Sequence, residues 1–395
     1  MNSYNNKIVL AEGMDVILKA NTNIFTVSNG MSDIFNSFLA PNITRKLGSY
    51  VIFDNNSSIY GLCGKNIENY GYKIEKINLN SAFNVFACLN SEIEIQRLVK
   101  AALRNCTEIQ RYLYEGKTEV DLLYTQTDLI LTLILIHIIE KTPIEKRCFS
   151  YINKILNKLQ QNNIDYFKKY FEKVDSSYMI QSSIFHLDYM KEEEYKKSLS
   201  LLSDVLSNVT DTKMLNSTAI SSIESLYAHN EPKLIFIELT GISVIDSYFC
   251  SYIEETCPTN TISSSDFPVF YVYAPLETIG FIPNFVNIFE ESKKTKNIHI
   301  LIFNSIATAI KLYGRDIRKF MKKIPYGLIF QKNKEKNIEF TEKLLSDDTI
   351  SDLMKKIQNN PGSIILYRKQ KGISIEQKIH LWILFTSAFL YLLAI

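Results

Sequence analysis

Five runs of almost unbroken apolar residues limit how this chain can fold: SYVIFD at 49–54, KLIFIEL at 233–239, VFYVYA at 269–274, NIHILIF at 297–303 and YGLIF at 326–330. Strands of this kind have no polar face to turn to water, so they belong in the interior of a largely parallel sheet covered by helices on both sides. Between the first and second run lies a long stretch of helical periodicity, residues 92–228, with almost no Gly or Pro and segments such as EIEIQRLVKAALRN, TDLILTLILIHIIEK and EYKKSLSLLSDVLSNV. One sheet interrupted by a helical insertion is more economical than three separate domains. The expected organisation is an α/β part at 1–91, an inserted all-α domain at 92–228, the rest of the α/β domain at 229–375 and a hydrophobic tail at 379–395.

With 395 residues and 46% hydrophobic composition, the chain can build two or three domains, which excludes wholesale disorder. Its 44 basic and 42 acidic residues leave a net charge of +2, so no global basic excess marks a nucleic-acid binder. Lys and Tyr do occur together in IDYFKKYFEKV (164–174) and RKFMKKIPYG (318–327), mixtures that can hold single strands or simply form amphipathic helix surface. The six cysteines, Cys63, Cys88, Cys106, Cys148, Cys250 and Cys257, lack metal-ligand spacing and read as reduced thiols; no metal site is expected. His137, inside LILTLILIHIIE, reads as helix packing.

The opening MNSYNNKIVLAEG lacks the apolar centre of a signal peptide. At the other end, LWILFTSAFLYLLAI (381–395) carries no charge. Such a helix spans about 22 Å against about 30 Å of hydrocarbon. A marginal membrane anchor therefore competes with a buried or amphipathic terminal helix.

Residues 24–43, IFTVSNGMSDIFNSFLAPNI, read as strand, tight loop and helix, the arrangement that cradles nucleotide phosphates. The cradle chemistry is missing. Such a loop needs glycines that let backbone N–H groups crowd the anion, a Lys for the terminal phosphates and a Ser/Thr hydroxyl for Mg²⁺. Here Asn29, Gly30, Ser32 and Asp33 lead into Ile34 and Phe35. Alone, the segment is an ordinary strand-to-helix turn in which Gly30 and Asn29 tolerate left-handed conformations and Ser32 or Asp33 can cap the helix. Asp54, closing SYVIFD, lies where ligands gather in open α/β sheets, or caps the helix that follows.

Several segments resemble, in order, the TraG-type coupling proteins of type IV secretion and conjugation, whose cytoplasmic part is a hexameric P-loop ATPase. SYVIFDNNSSIYGLCGKNIENYGYKIEKINLN resembles the family's strand–helix–strand unit after the phosphate loop, and FNVFACL its YNPFAYI. FPVFYVYAPLETIGFIPNF resembles the Walker B segment VRFILDEFANIGQIPDF, with Ile279, Gly280, Ile282, Pro283 and Phe285 matching. Pro41, Asn42 and Ile43 match KPNI, Asp54 matches the family's Asp, and Asn304 stands at a polar Gln position.

The resemblance implies a P-loop NTPase-like, RecA-like fold with degenerate motifs. The Walker A Lys and Ser/Thr positions hold Ile34 and Phe35, and the Walker B acidic positions hold Ala274 and Pro275. Phosphoryl transfer depends on positioning and charge neutralisation by those groups, so the implied protein is a pseudo-ATPase with no nucleotide cofactor. Its implied partners are conjugation or type IV secretion components, an active coupling ATPase or relaxase complex among them, at the cytoplasmic face of the bacterial plasma membrane or in the cytoplasm. The alternatives are a reorganised ATPase using Ser32, Asp54 and Glu277, a DNA-binding protein, and a decaying relic.

Overall fold

The computed structural model describes residues 7–330, apart from short stretches of which the longest are 111–117, 172–188, 210–217, 257–267, 289–296 and 315–323, and the strands at 363–368 and 372–377. Asn29, Cys257, the tail at 379–395 and parts of both Lys/Tyr mixtures (172–174 and 318–323) lie outside the described residues.

The chain opens with a small antiparallel hairpin, β1 (Lys7–Ala11) and β2 (Met14–Ile17). Seven parallel strands follow: β3 (Ile24–Val27), β4 (Ser49–Asp54), β5 (Lys73–Asn78), β6 (Lys233–Glu238), β7 (Val269–Ala274), β8 (Asn297–Phe303) and β9 (Tyr326–Ile329). They lie in the order β5-β6-β4-β7-β8-β3-β9, and the antiparallel β10 (Ser363–Arg368) and β11 (Gly372–Gln377) extend the β9 edge. Strands β5 and β6 pair directly, Ile74 opposite Leu234. The chain from residue 79 to 232 therefore leaves the sheet and returns to it between two neighbouring strands.

Every residue of β3, β4, β7 and β8 is buried. Because side chains alternate across a sheet, each strand feeds two cores. On one face Tyr50, Ile52, Phe270, Val272, Ile300 and Ile302 pack beneath the helix that follows β3. On the other, Val51, Phe53, Tyr271, Tyr273, Leu301 and Phe303 belong to a core that runs without a break into the helices after β5.

Met31–Ile34, Phe35–Leu39 and Ala40–Thr44 continue one another as a single helix, α1, whose middle segment is π-wound. Pro41 accounts for the wide turn, since its ring would collide with the carbonyl four residues back in a regular α-helix. Later helices are α2 (Ser58–Cys63), α3 (Leu79–Ala82), α4 (Val85–Cys88), α5 (Glu92–Arg104), α6 (Thr118–Lys141), α7 (Phe149–Gln160), α8 (Ile164–Phe171), α9 (Glu192–Leu206), α10 (Thr218–Ala228), α11 (Ser243–Thr256) and α12 (Leu276–Ile279).

Within α6, residues 122–141 are long and apolar enough to cross a membrane. Its residues Ile130, Leu131, Leu133, Ile134, Leu135 and Ile138 are buried in the larger core, and the helix packs against α5 and α9. A helix apolar around its whole circumference suits such a central position. His137 joins this packing through its Nε2, 3.1 Å from the Tyr170 hydroxyl. The five described cysteines are free thiols.

α5 is joined to α11 by charge as well as by packing. Arg97, 2% exposed, reaches Glu94 on its own helix and Glu255 on α11, and Tyr248 donates to Glu94 at 3.2 Å. Asn284 donates to the other oxygen of Glu255 at 3.0 Å. This network ties α5 and α11 to Asn284 in the segment between β7 and β8.

Candidate functional site

In an open parallel sheet, the crevice outside the carboxyl ends of the strands is where ligands bind. Here β3, β8, β7 and β4 deliver Val27, Phe303, Ala274 and Asp54 to that edge.

The turn after β3 is short. The strand ends at Val27 and α1 begins at Met31, so Ser28, Asn29 and Gly30 are the whole connection. Ser28 is anchored below by its N–H to Phe303 O at 2.9 Å. Its hydroxyl accepts the Gly30 N–H at 3.1 Å and donates to the Gly30 carbonyl at 3.1 Å. The turn thus spends on itself one of the amides that a phosphate-binding loop presents to the anion. Gly30 is extended, with φ −133°, rather than left-handed, and neither Ser32 nor Asp33 caps α1, whose N-cap Gly30 offers no side chain. That corrects the capping expected from the sequence: with Gly30 at the N-cap, Ser32 and Asp33 stand two and three residues past it, inside the first turn. Ile34 and Phe35 point into the core with Phe38 and Leu39. The two positions where the family pattern has Lys and a hydroxyl are therefore packing positions.

Asp54 is 1% exposed and acts as a cap. Its Oδ1 accepts from Ser58 Oγ at 2.9 Å and from the Ile59 N–H at 3.0 Å, and its Oδ2 accepts from the Tyr60 N–H at 2.8 Å. Both oxygens are committed to the first turn of α2.

After β7, Ala274 is buried, and Pro275 opens the four-residue helix α12. Within it, Glu277 turns back to the neighbouring strand end, where its Oε1 accepts the N–H groups of Asn304 at 2.8 Å and Ser305 at 3.0 Å. Burial raises the pKa of this carboxyl, and the two backbone donors oppose the rise. Its Oε2 is buried without a hydrogen-bond partner. A carboxylate of the chain itself thus occupies the amides at the end of β8. Asn304 contributes its backbone there while the residue as a whole is exposed.

Asn42, Gly280 and Pro283, matched by the resemblance, make structural contacts. Asn42, 2% exposed, brackets Val9 of β1 by accepting its N–H and donating to its carbonyl, each at 2.8 Å, and donates to Phe38 O at 2.7 Å. Gly280 has φ +94° and ψ −161°, a conformation essentially confined to glycine. Beside it, Asn105, just past α5, accepts the Phe281 N–H at 2.6 Å. The same Asn donates toward Ser247 Oγ at 2.9 Å and Phe281 O at 3.3 Å. Pro283 O accepts from Ser251 Oγ at 2.8 Å. Asn105 also donates to Ala101 O at 2.8 Å, but its partners on the loop after β7 and on α11 lie more than a hundred positions away, and its one local signal in the sequence is an amide directly after a helix.

Among the described residues, no group of three His, Cys, Asp or Glu side chains is placed to hold a metal ion. In the first Lys/Tyr mixture, Phe167 and Phe171 of α8 are core, whereas Lys158 of α7 lies over the rings of Tyr166 and Tyr170, 5.7 and 5.3 Å from their centroids.

A largely parallel sheet with helices on both faces and a strand–turn–helix at its carboxyl edge defines a P-loop NTPase-like α/β fold. Solved structures share this fold. The bacterial conjugative coupling protein TrwBdeltaN70, in its unbound monoclinic form, superposes with a TM-score of 0.59 over 96% of this chain and 89% of that one at 10% identity. The plasmid coupling protein TrwB in complex with ADP and Mg²⁺ gives 0.58 over 95% and 89% at 11% identity. Its complex with a non-hydrolysable ATP analogue gives 0.55 over 95% and 83% at 12% identity. No protein-family model and no curated protein matches the sequence. At these identities, the likeness speaks to the fold.

Proposed function

We propose that this protein is a non-catalytic homologue of the conjugative coupling proteins, a pseudo-ATPase that works by binding components of a type IV secretion or conjugation machinery. The observation that carries the reading is the state of the carboxyl edge. A three-residue turn closes on its own amide through Ser28, and Asp54 is consumed as a helix cap. Glu277 sits on the strand-end amides of Asn304 and Ser305. Ile34 and Phe35 are core side chains where a phosphate-binding cation and a magnesium-binding hydroxyl belong. Without positioned positive charge, phosphoryl transfer loses the term on which it chiefly depends. The coupling-protein assignment itself rests on the resemblance of ordered segments together with likeness of fold over nearly the whole chain.

Partners on this reading are conjugation components such as an active coupling ATPase or a relaxase complex, met at the cytoplasmic face of the plasma membrane through the segment 379–395 or through membrane-bound partners. The reorganised-ATPase alternative would need Ser32, Asp54 and Glu277 to act on nucleotide, and two of those three carboxylate or hydroxyl groups already have structural duties.

Titration with MgATP and MgADP by calorimetry, with a phosphate-release assay on the same protein, tests the proposal. No heat of binding and no turnover is the expected result. Micromolar ATP affinity, or turnover lost in Glu277→Gln, overturns the non-catalytic reading. Co-purification from the native host tests the partner assignment separately, with recovery of a coupling ATPase or relaxase expected and an isolated monomer counting against it.

A further inference from the structure

Away from the sheet edge, helices α5, α6 and α9 enclose a cavity of about 370 Å³, within the range that holds a small ligand or an inserted side chain. Its wall is divided. Leu129 and Met190 supply an apolar side, with Leu122 at the rim and 54% exposed. Gln96, Thr132, Asp128 and Glu194 supply a polar side, and among the described residues no Lys, Arg or His lines the cavity.

The two carboxylates differ in how well they are satisfied. Glu194 Oε2 accepts from Gln126 Nε2 at 2.9 Å and from the Lys191 N–H at 3.1 Å. Asp128 has, among the described residues, one hydrogen bond, from Thr132 Oγ1 at 3.5 Å, and Thr132 is itself held by Gln96 Nε2 at 3.2 Å. At 3.5 Å that contact is barely a hydrogen bond. A half-buried carboxylate with one weak donor lacks the compensation that a charge taken out of water requires. Lys100 on α5 lowers the Asp128 pKa from a distance but does not line the cavity.

We propose that this cavity is a binding site for a primary ammonium or guanidinium group carried on an apolar stem, with the cation donating to Asp128 and the stem lying against Leu129 and Met190. A cation completes both unsatisfied features: it supplies the donors Asp128 lacks, and it offsets two negative groups that no described lining side chain balances. An anionic ligand would meet Asp128 and Glu194 with like charge. A neutral ligand would leave Asp128 as it is. The same chemistry comes from a free alkylamine or from a Lys or Arg side chain of a partner, and the two sources are separable.

The experiment is calorimetry and ligand-observed NMR on the full chain with n-hexylamine, 1-hexanol and a short peptide bearing one central Lys between aliphatic residues. Hexylamine should bind at least tenfold more tightly than hexanol, and Asp128→Asn should abolish that preference. Leu122→Trp, at the rim, should block entry without touching the buried wall, and circular dichroism and thermal melting check that both variants fold. A peptide binding more than tenfold tighter than hexylamine identifies a protein-borne side chain as the ligand; the reverse identifies a free amine. Absence of binding by amine and peptide alike, equal binding of amine and alcohol, or binding unchanged by both substitutions overturns the proposal.

Discussion

Asn105 and Gly280 stand so close that a methyl group on the glycine would lie 2.2 Å from the Asn105 side-chain oxygen. The approach lets Asn105 take the Phe281 N–H and return a donor to the Phe281 carbonyl, so one amide pins the loop after β7 to the end of α5. Gly280→Ala should cost about 3 kcal/mol, combining a glycine-only backbone conformation with a clash that side-chain motion cannot relieve without losing those bonds. Urea unfolding reads the loss as a lower midpoint. Asn105→Ala should cost about 1–3 kcal/mol through unsatisfied backbone groups. The double variant should lose less than the sum, since truncating Asn105 removes part of the clash; strict additivity would show that the two residues do not interact.

Asp54 offers a second test, because a cap and a metal ligand answer differently to the same change. Asp54→Ala strips acceptors from Ser58, Ile59 and Tyr60 and should destabilise the protein by about 1–3 kcal/mol, mostly through the first turn of α2. If both oxygens serve α2, millimolar MgATP should leave the melting temperature unchanged in wild type and variant alike. A nucleotide-dependent rise in wild type that Asp54→Ala removes would instead make Asp54 a ligand.

What could be read from the sequence follows from how locally each feature is encoded. Strand β4 is legible because Tyr50, Val51, Ile52 and Phe53 are all apolar, and burial on both faces of the sheet demands that. The capping of α2 by Asp54 is legible as one of two local options, since its partners are four to six residues away. The failed cap at Ser32 and Asp33 shows the limit of that approach: α1 starts at Met31, two to three residues earlier than a cap at either side chain requires, and both fall in its first turn. Asn105, Arg97 and Glu277 act across 27 to 176 positions, through neighbours that exist only once the sheet is assembled. That residues 34 and 35 are Ile and Phe is read from the sequence, but that both are core side chains is read only from the fold.

The Asp128 carboxyl is pushed up to about 6 from an ordinary 3.8, first by burial, with Lys100 and Thr132 opposing. The sign follows from linkage. Between those two values the folded state holds more protons than the unfolded one, so this group's contribution to stability grows as pH falls from 6 toward 4 and is flat outside that window. Asp128→Asn removes the titration. The variant should therefore be more stable than wild type at pH 7, with the advantage shrinking toward zero near pH 4. Chemical unfolding across pH 4–8 measures it; a gap constant with pH would mean that Asp128 has the same acidity folded and unfolded.

Asn42 joins the hairpin β1–β2 to the helix that Pro41 has widened. Its side chain presents one acceptor and two donors, and all three meet backbone groups: the Val9 N–H, the Val9 carbonyl and the Phe38 carbonyl. The site is almost sealed from water, so Asn42→Ala leaves each of those groups unsatisfied and should cost about 2–4 kcal/mol, more than the net value of the bonds themselves. Asn42→Asp keeps the shape and the acceptor but turns the two donated bonds into oxygen–oxygen contacts, with a buried charge added. It should be at least as damaging at pH 7 and should recover in part on acidification, when a protonated acid can donate once. Amide exchange at Val9 separates a local from a global effect. Accelerated exchange confined to β1 and β2 means that Asn42 holds the hairpin onto α1, whereas uniform acceleration through β3 and β4 means that the hairpin and the sheet unfold as one unit.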